Sequence, residues 1–344
     1  MPRKVIATLM IAAGVVALIS IVRYPTEPRW QADDPARGGH VTSMAWLEGG
    51  LVLAQQDGRV WERRDGTWAA MPELPEDARS TVLFAGDDLL AGTTDGIRRF
   101  TGDGWEAITG DNAPSGRISY LTGLGERTYV AGYDGVWTDQ GDGEWRALGR
   151  PDPDAPVYRV LVTDDDNAGE PLLRSGSIEA GVHIHDADAE TWKADNDGLP
   201  DAVKVLSFYQ LTTGTVLAGT DEGLFRQDAP FEGWTRVGGL LGERRILSMA
   251  ATEEELYVGS DDGAWRAPLD DGGIDSQPGW LPVPTAEDAL DAPVAWIIIE
   301  DDTPWIAAGT AYKLRSGRTP EWYLLVIGAP LLLVGGAGLW LYPR

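Results

Sequence analysis

The chain contains no cysteine. Disulfides, thiolate nucleophiles and thiolate metal ligands are therefore excluded, and the redox compartment leaves no mark on the sequence. Lysine is nearly missing as well: Lys4, Lys193, Lys204 and Lys313 are the only four in 344 residues. With 28 basic residues against 54 acidic ones, the net charge is −26. Clustered cations of the kind that neutralise phosphates are absent from the sequence, which disfavours a nucleic-acid partner. An acidic balance with scarce lysine fits a protein of a salt-loving organism, where high ionic strength screens self-repulsion. Histidine is confined to His40, His183 and His185. No glycine-rich phosphate loop, Ser/His/Asp ordering or nucleotide fingerprint occurs.

What the chain does have is a phrase written seven times: tryptophan, a variable residue, then usually a small one. The copies begin at Trp30, Trp68, Trp105, Trp145, Trp192, Trp234 and Trp280, at gaps of 38, 37, 40, 47, 42 and 46 residues. That spacing is the period of a four-stranded propeller blade. Each copy is preceded by apolar runs that read with period two, as strands do. Innermost strands are expected at Val41 to Trp46, Val82 to Ala85, Ile118 to Leu121, Val157 to Val162, Val203 to Tyr209, Ile246 to Ala250 and Val294 to Ile299. The second strand ends in a small-residue phrase and a turn, as in Ala91-Gly92-Thr93-Thr94-Asp95-Gly96 and Val258-Gly259-Ser260-Asp261-Asp262-Gly263. Glycine there supplies the positive φ of a tight hairpin. The tryptophans are expected to pack between neighbouring blades.

The count leaves blade seven one strand short at its C-terminal end, while Trp30-Gln31-Ala32 stands alone before the first blade. The economical solution is closure, with the N-terminal segment completing the last blade and hiding sheet edges that an open array would expose. Trp322 is the competing candidate. The expected fold is all-β: a seven-bladed β-propeller over 28–318, closed by an N-terminal strand. A transmembrane helix is expected at each terminus. Residues 5–22 are mostly apolar and uncharged, and read as an uncleaved signal anchor. Residues 322–342 carry no charge and have Trp322, Tyr323, Trp340 and Tyr342 at their ends, as interfacial belts do.

The turn-plus-tryptophan phrases Arg64-Asp65-Gly66-Thr67-Trp68 and Asp142-Gly143-Glu144-Trp145 resemble the aspartate box of bacterial-neuraminidase-type repeats. Gly181-Val182-His183-Ile184-His185-Asp186, followed by Thr191-Trp192 and Gly198-Leu199-Pro200, resembles blades of sortilin-like and photosystem II assembly-factor propellers. The resemblance covers residues 30 to 318 and implies the fold, which hosts catalysis, scaffolding and ligand binding alike. Sialidases share the box and need an arginine cluster, a tyrosine nucleophile and carboxylates at the ring's mouth. Arg98, Arg99, Arg159, Arg174, Arg244 and Arg245 are available, yet no motif ties them together.

His183 and His185 alternate on a strand with Asp186 and Asp188 following, a pattern that could hold zinc or another divalent cation, but a two-histidine spacing is a weak signal and an ordinary solvated strand face is the favoured reading. Asp164-Asp165-Asp166-Asn167 and Asp261-Asp262-Gly263 lack the full calcium-loop pattern. No catalytic, cofactor-binding or metal residue is therefore assigned, and no cofactor is expected. The expected role is a membrane-anchored binding, scaffold or assembly module for a protein or glycan partner. A glycan hydrolase and an accessory subunit of a membrane complex are the alternatives. Arg3 and Lys4 before the first helix place the propeller outside the cytoplasm, whereas Lys313, Arg315 and Arg318 argue the reverse; the first helix is followed.

Overall fold

Alternating apolar residues separated by Asp-Gly turns fold into seven four-stranded antiparallel sheets in the computed structural model. The structure describes residues 28–35, 39–47, 49–76, 78–139, 143–164, 171–285 and 290–315, with Ile6, Thr8, Met10 and Ile11 besides. Two compact units partition the chain: Gln31–Lys313, and Met1–Trp30 with Leu314–Arg344. Apart from those four residues, the expected membrane segments 5–22 and 322–342 lie outside the described residues, as does Trp322. Among the described residues no helix is long and apolar enough to cross a membrane.

The innermost strands are Val41–Leu47, Ser80–Ala85, Ile118–Leu124, Val157–Thr163, Val205–Gln210, Ile246–Ala251 and Trp296–Glu300. Six of them begin with a register shift against the second strand, which inserts one extra residue and bends the strand at that end. The small-residue phrase has its reason here. A Cβ on Gly92, Gly176, Gly219 or Gly259 would meet Ile118, Val205, Ile246 or Val294 of the next blade at 2.7 Å or less, so the second strand must be bare where its neighbour's innermost strand lies against it.

The tryptophan phrase is explained by the outermost strands. Its third residue sits opposite a bulky partner on the third strand: Ala70 opposite Trp61, Ala107 opposite Arg98, Ala147 opposite Trp137 and Ala194 opposite His183. The tryptophan itself reaches the preceding blade. Indole N–H groups of Trp105, Trp192, Trp234 and Trp280 donate to the carbonyls of Pro72, Leu148, Asp195 and Gly238, each three or four residues beyond the preceding tryptophan. Repeat and blade interface are thus one feature: each phrase fixes its own blade to the one before it. Trp145 is the exception, buried with no acceptor for its indole nitrogen among the described residues.

Blade seven has the strand order Arg29–Ala32, Thr310–Arg315, Thr303–Ala308, Trp296–Glu300, so the N-terminal strand completes it. Asp33 N–H donates to Ala311 O at 3.0 Å. The Asp33 carboxylate accepts Trp68 Nε1–H and Arg63 Nη2–H of blade one, both at 2.9 Å. The Trp68 phrase therefore follows the rule of the others, with a side-chain oxygen in place of a carbonyl.

Candidate functional site

In five blades the residue just before the innermost strand is a cation or histidine: His40, Arg79, Arg117, Lys204 and Arg245. The backbone at this position is held by a recurring bond, in which its carbonyl accepts an N–H from the turn between the second and third strands. The pairs are His40 O with Gln56 N (2.8 Å), Arg79 O with Thr94 N (3.2 Å), Arg117 O with Tyr133 N (2.9 Å) and Lys204 O with Asp221 N (3.1 Å). The equivalent residue of blade four is Pro156, and there the cation is Arg159, inside the strand. Seven innermost strands converge on one axis, so a repeated sequence position becomes a ring at the channel mouth. The sequence has no run of basic residues; the fold makes the cluster.

Within that ring lies a cup of about 440 Å³, walled by His40, Thr42, Arg79, Thr81, Arg117, Ser119, Tyr158 and Arg159. Its hydroxyls turn into the wall. Thr42 donates to Ala54 O, Thr81 to Gly92 O and Ile118 O, and Ser119 to Ala131 O and Val157 O. Three guanidinium groups, those of Arg79, Arg117 and Arg159, belong to the wall, with that of Arg117 lying over the Tyr133 ring at 5.4 Å. Nine arginines of this acidic chain pair with a carboxylate: Arg59, Arg63, Arg64, Arg99, Arg146, Arg150, Arg226, Arg244 and Arg266. Arg79, Arg117 and Arg159 have no carboxylate ion pair among the described residues, and no carboxylate lines the cup.

Arg159 is the floor. It is only 8% exposed, its Nη1 donates to the carbonyls of Ser119 (3.3 Å) and Tyr158 (3.1 Å), and its guanidinium stacks on the rings of Tyr120 (4.9 Å) and Tyr158 (4.3 Å). Tyr120 of blade three in turn meets Trp296 of blade seven with ring centroids 5.9 Å apart, across the channel. Burial pushes the Tyr120 phenol above its ordinary pKa, with Arg159 pulling the other way. These three side chains plug the channel. Below them a second cavity of about 350 Å³ draws on all seven blades and is mostly apolar, with Trp46, Phe84, Leu121, Phe208 and Ile298 in its wall.

The arginines singled out in the sequence scatter. Arg159 reaches the cup, and Arg245 is exposed beside its strand. Arg98 and Arg99 lie on a third strand, Arg174 is buried inside blade four, and Arg244 pairs with Asp262. A sialidase-like mouth would add carboxylates to the arginines, and among the described residues none lines this cup. Arg79 and Arg117 were invisible to motif reading; aligning the seven repeats on the position before each innermost strand would have found them.

His183 and His185 do share a face of blade four. His185 packs edge-on to Trp192 at 4.9 Å, and Asp186 is taken by Lys193 at 2.5 Å. His183 stands opposite Ser175 in register, and its Nδ1 and the Ser175 and Ser177 hydroxyls are buried without partners among the described residues. Among the described residues no three His, Asp or Glu side chains are grouped to hold a metal ion. Of Asp164-Asp165-Asp166-Asn167, all but Asp164 lie outside the described residues.

Burial pushes the His183 imidazole below its ordinary value of 6.5, with Asp152 opposing. His185 is lowered likewise by burial and Arg146, against Asp186 and Glu190. A depressed folded pKa means that the unfolded chain takes up the proton first. The stability these imidazoles contribute is therefore full above pH 6.5 and lost as pH falls below it. Denaturant titrations at about pH 7.5 and about pH 5.5 should show a smaller acid-side loss in His183→Gln than in the parent; equal losses would refute the assignment.

No known family profile and no curated protein matches the sequence. The fold has solved counterparts. The chain superposes on the extracellular domain of BT4673 from B. thetaiotaomicron with a TM-score of 0.69 at 14% identity, covering 83% of this chain. It spans 39% of that protein's length and 42% of the similar BT3049 extracellular domain. YCF48 from Cyanidioschyzon merolae aligns over 84% of this chain and 100% of its own, with a TM-score of 0.63 at 16% identity. The WD40 propeller of Doa1 aligns over 85% and 98%, with a TM-score of 0.63 at 10% identity. At these identities the likeness is one of β-propeller fold.

Proposed function

We propose that this protein is a membrane-tethered binding module whose propeller lies outside the cytoplasm and presents its cationic mouth to a protein or glycan partner. The observation that carries the reading is the cup itself. It is a preformed concavity of about 440 Å³, held by a repeated backbone bond and lined by arginines without acidic partners among the described residues. Concave sites of this size with a few convergent polar groups are where propellers and other scaffolds hold ligands. Binding is favoured over hydrolysis because the cup offers cations to orient a ligand and no carboxylate for acid or base work.

The tether rests on the apolar segments 5–22 and 322–342. The placement outside the cytoplasm rests on Arg3 and Lys4 preceding the first of them. It is supported by the structural likeness to extracellular domains of BT4673 and BT3049. The protein-partner reading is supported by YCF48, a propeller solved with a bound D1 peptide. Protease treatment of intact cells should degrade the propeller, and its full protection would overturn the placement. Affinity capture of the full chain in high salt should retain a partner that Arg117→Gln loses; retention unaffected by that change would move the binding face elsewhere.

A further inference from the structure

The mouth cup carries a sharper statement about ligand chemistry. In a chain of net charge −26, three arginines converge on one concavity with no carboxylate on its walls among the described residues, while other arginines such as Arg59 and Arg150 are paired. Chance placement in so acidic a protein would leave acids in the wall. The carboxylates of this face sit further out: Asp57 is held by Arg59, Asp134 by Arg150, and Asp262 by Arg244. Glu179 and Asp221 stand near Lys204, at 3.9 and 3.8 Å. Glu76 lies with Asp57 on an adjoining shelf that shares only His40, Gln56 and Arg79 with the cup.

The floor decides the sign. Arg159 is 8% exposed, with two carbonyls and two aromatic faces as its partners. A buried cation without a counter-charge is costly, and the cost is relieved when an anion arrives. The hydroxyls of Thr42, Thr81 and Ser119 already donate inward, so the guanidinium groups are the charged donors of the wall. Planar forks of this kind match oxyanions in a bidentate manner and do not favour a spherical chloride.

We infer that the cup formed by Arg79, Arg117 and Arg159 binds a dianionic oxyanion group, a polycarboxylate or a phosphate, either free or carried on the partner. This deepens the binding-module reading of the mouth and rests on it. The plug of Tyr120 and Trp296 stops the group at the floor, so it is held at the end of a molecule and not threaded through the ring.

Calorimetric titration of the full chain with citrate and with inorganic phosphate, at ionic strength matched with chloride, tests this. One saturable site is expected for at least one of the two anions, weakened roughly tenfold or more in Arg117→Gln and in Arg79→Gln, since each removes a charged hydrogen bond. Both residues are exposed, so the variants should fold; Arg146→Gln, on the outer rim, should bind as the parent does. A site confined to citrate or to phosphate would identify which oxyanion is meant. No saturable heat with either anion, or equal binding in the Arg79 and Arg117 variants, would overturn the inference. If the free anions bind and also displace a captured partner, the group is carried by that partner. If they bind without displacing it, the free anion is the ligand. Protease protection of the propeller would sink the proposed placement and leave the anion site standing, so the two failures are distinguishable.

Discussion

Replacing Trp305 with alanine is expected to cost about 3–5 kcal/mol, the range for deleting a fully buried large aromatic. Trp305 is 0% exposed and sits in a cluster that joins blade seven to blade one through Val41, Met44, Leu51 and Leu53. Its indole N–H donates to Glu300 at 2.5 Å, and Arg63 and Lys313 both lie over its ring, each at 5.0 Å. Losing the ring removes apolar contact, opens a cavity and leaves both cations without their π face. The seam is the one made by strands from opposite ends of the chain, so no sequence-local contact compensates. Urea unfolding at fixed salt should show the loss, and Trp68→Ala, half-buried on the outer strand, should lose less. A cost below about 1 kcal/mol for Trp305→Ala would mean that the ring does not depend on this seam.

Asp195→Ala should also be damaging. Asp195 is 3% exposed, its carboxylate oxygens accept Gln227 Nε2–H at 3.1 and 2.9 Å, and its carbonyl accepts the Trp234 indole at 2.8 Å. The guanidinium of Arg174, 2% exposed, is pushed below its ordinary pKa by burial and held up by Asp195. Removing the carboxylate leaves the Gln227 amide unpaired and takes away the charge that opposes the buried Arg174 cation through space, at an expected cost of about 1–3 kcal/mol. Removing both charges should do less harm: Arg174→Met with Asp195→Leu is expected to recover part of the loss, the Gln227 amide remaining unpaired. A double variant as unstable as Asp195→Ala alone would show that the two groups are not coupled. The contrast with Arg159 is instructive. Arg174 has an acid inside the protein; Arg159, also buried, has carbonyls and aromatic rings.

Much of the fold could be read residue by residue. Seven tryptophan phrases are seven outer strands or the residues just before them, Trp234 and Trp280 standing one place ahead of Thr235–Arg236 and Leu281–Pro282. The expected closure at Trp30 appears in the strand order of blade seven. Boundaries shift by a few residues: the fifth innermost strand begins at Val205 and not Val203, the seventh at Trp296 and not Val294. In both, the residues ahead of the strand belong to the approach from the previous blade, which periodicity cannot separate from the strand itself.

The site was another matter. Blade number, strand order and the closing strand are set by signals within some 40 residues, namely a period of two, turn glycines and a recurring indole, so the chain alone determined them. Which side chains meet on the axis is set by how seven sheets tilt and curve together. Tyr120 and Trp296 come from blades three and seven, and Arg79, Arg117 and Arg159 from three successive blades. No local pattern links such residues; only the closed ring brings them within reach, and only there do arginines scattered through an acidic sequence become one cationic cup.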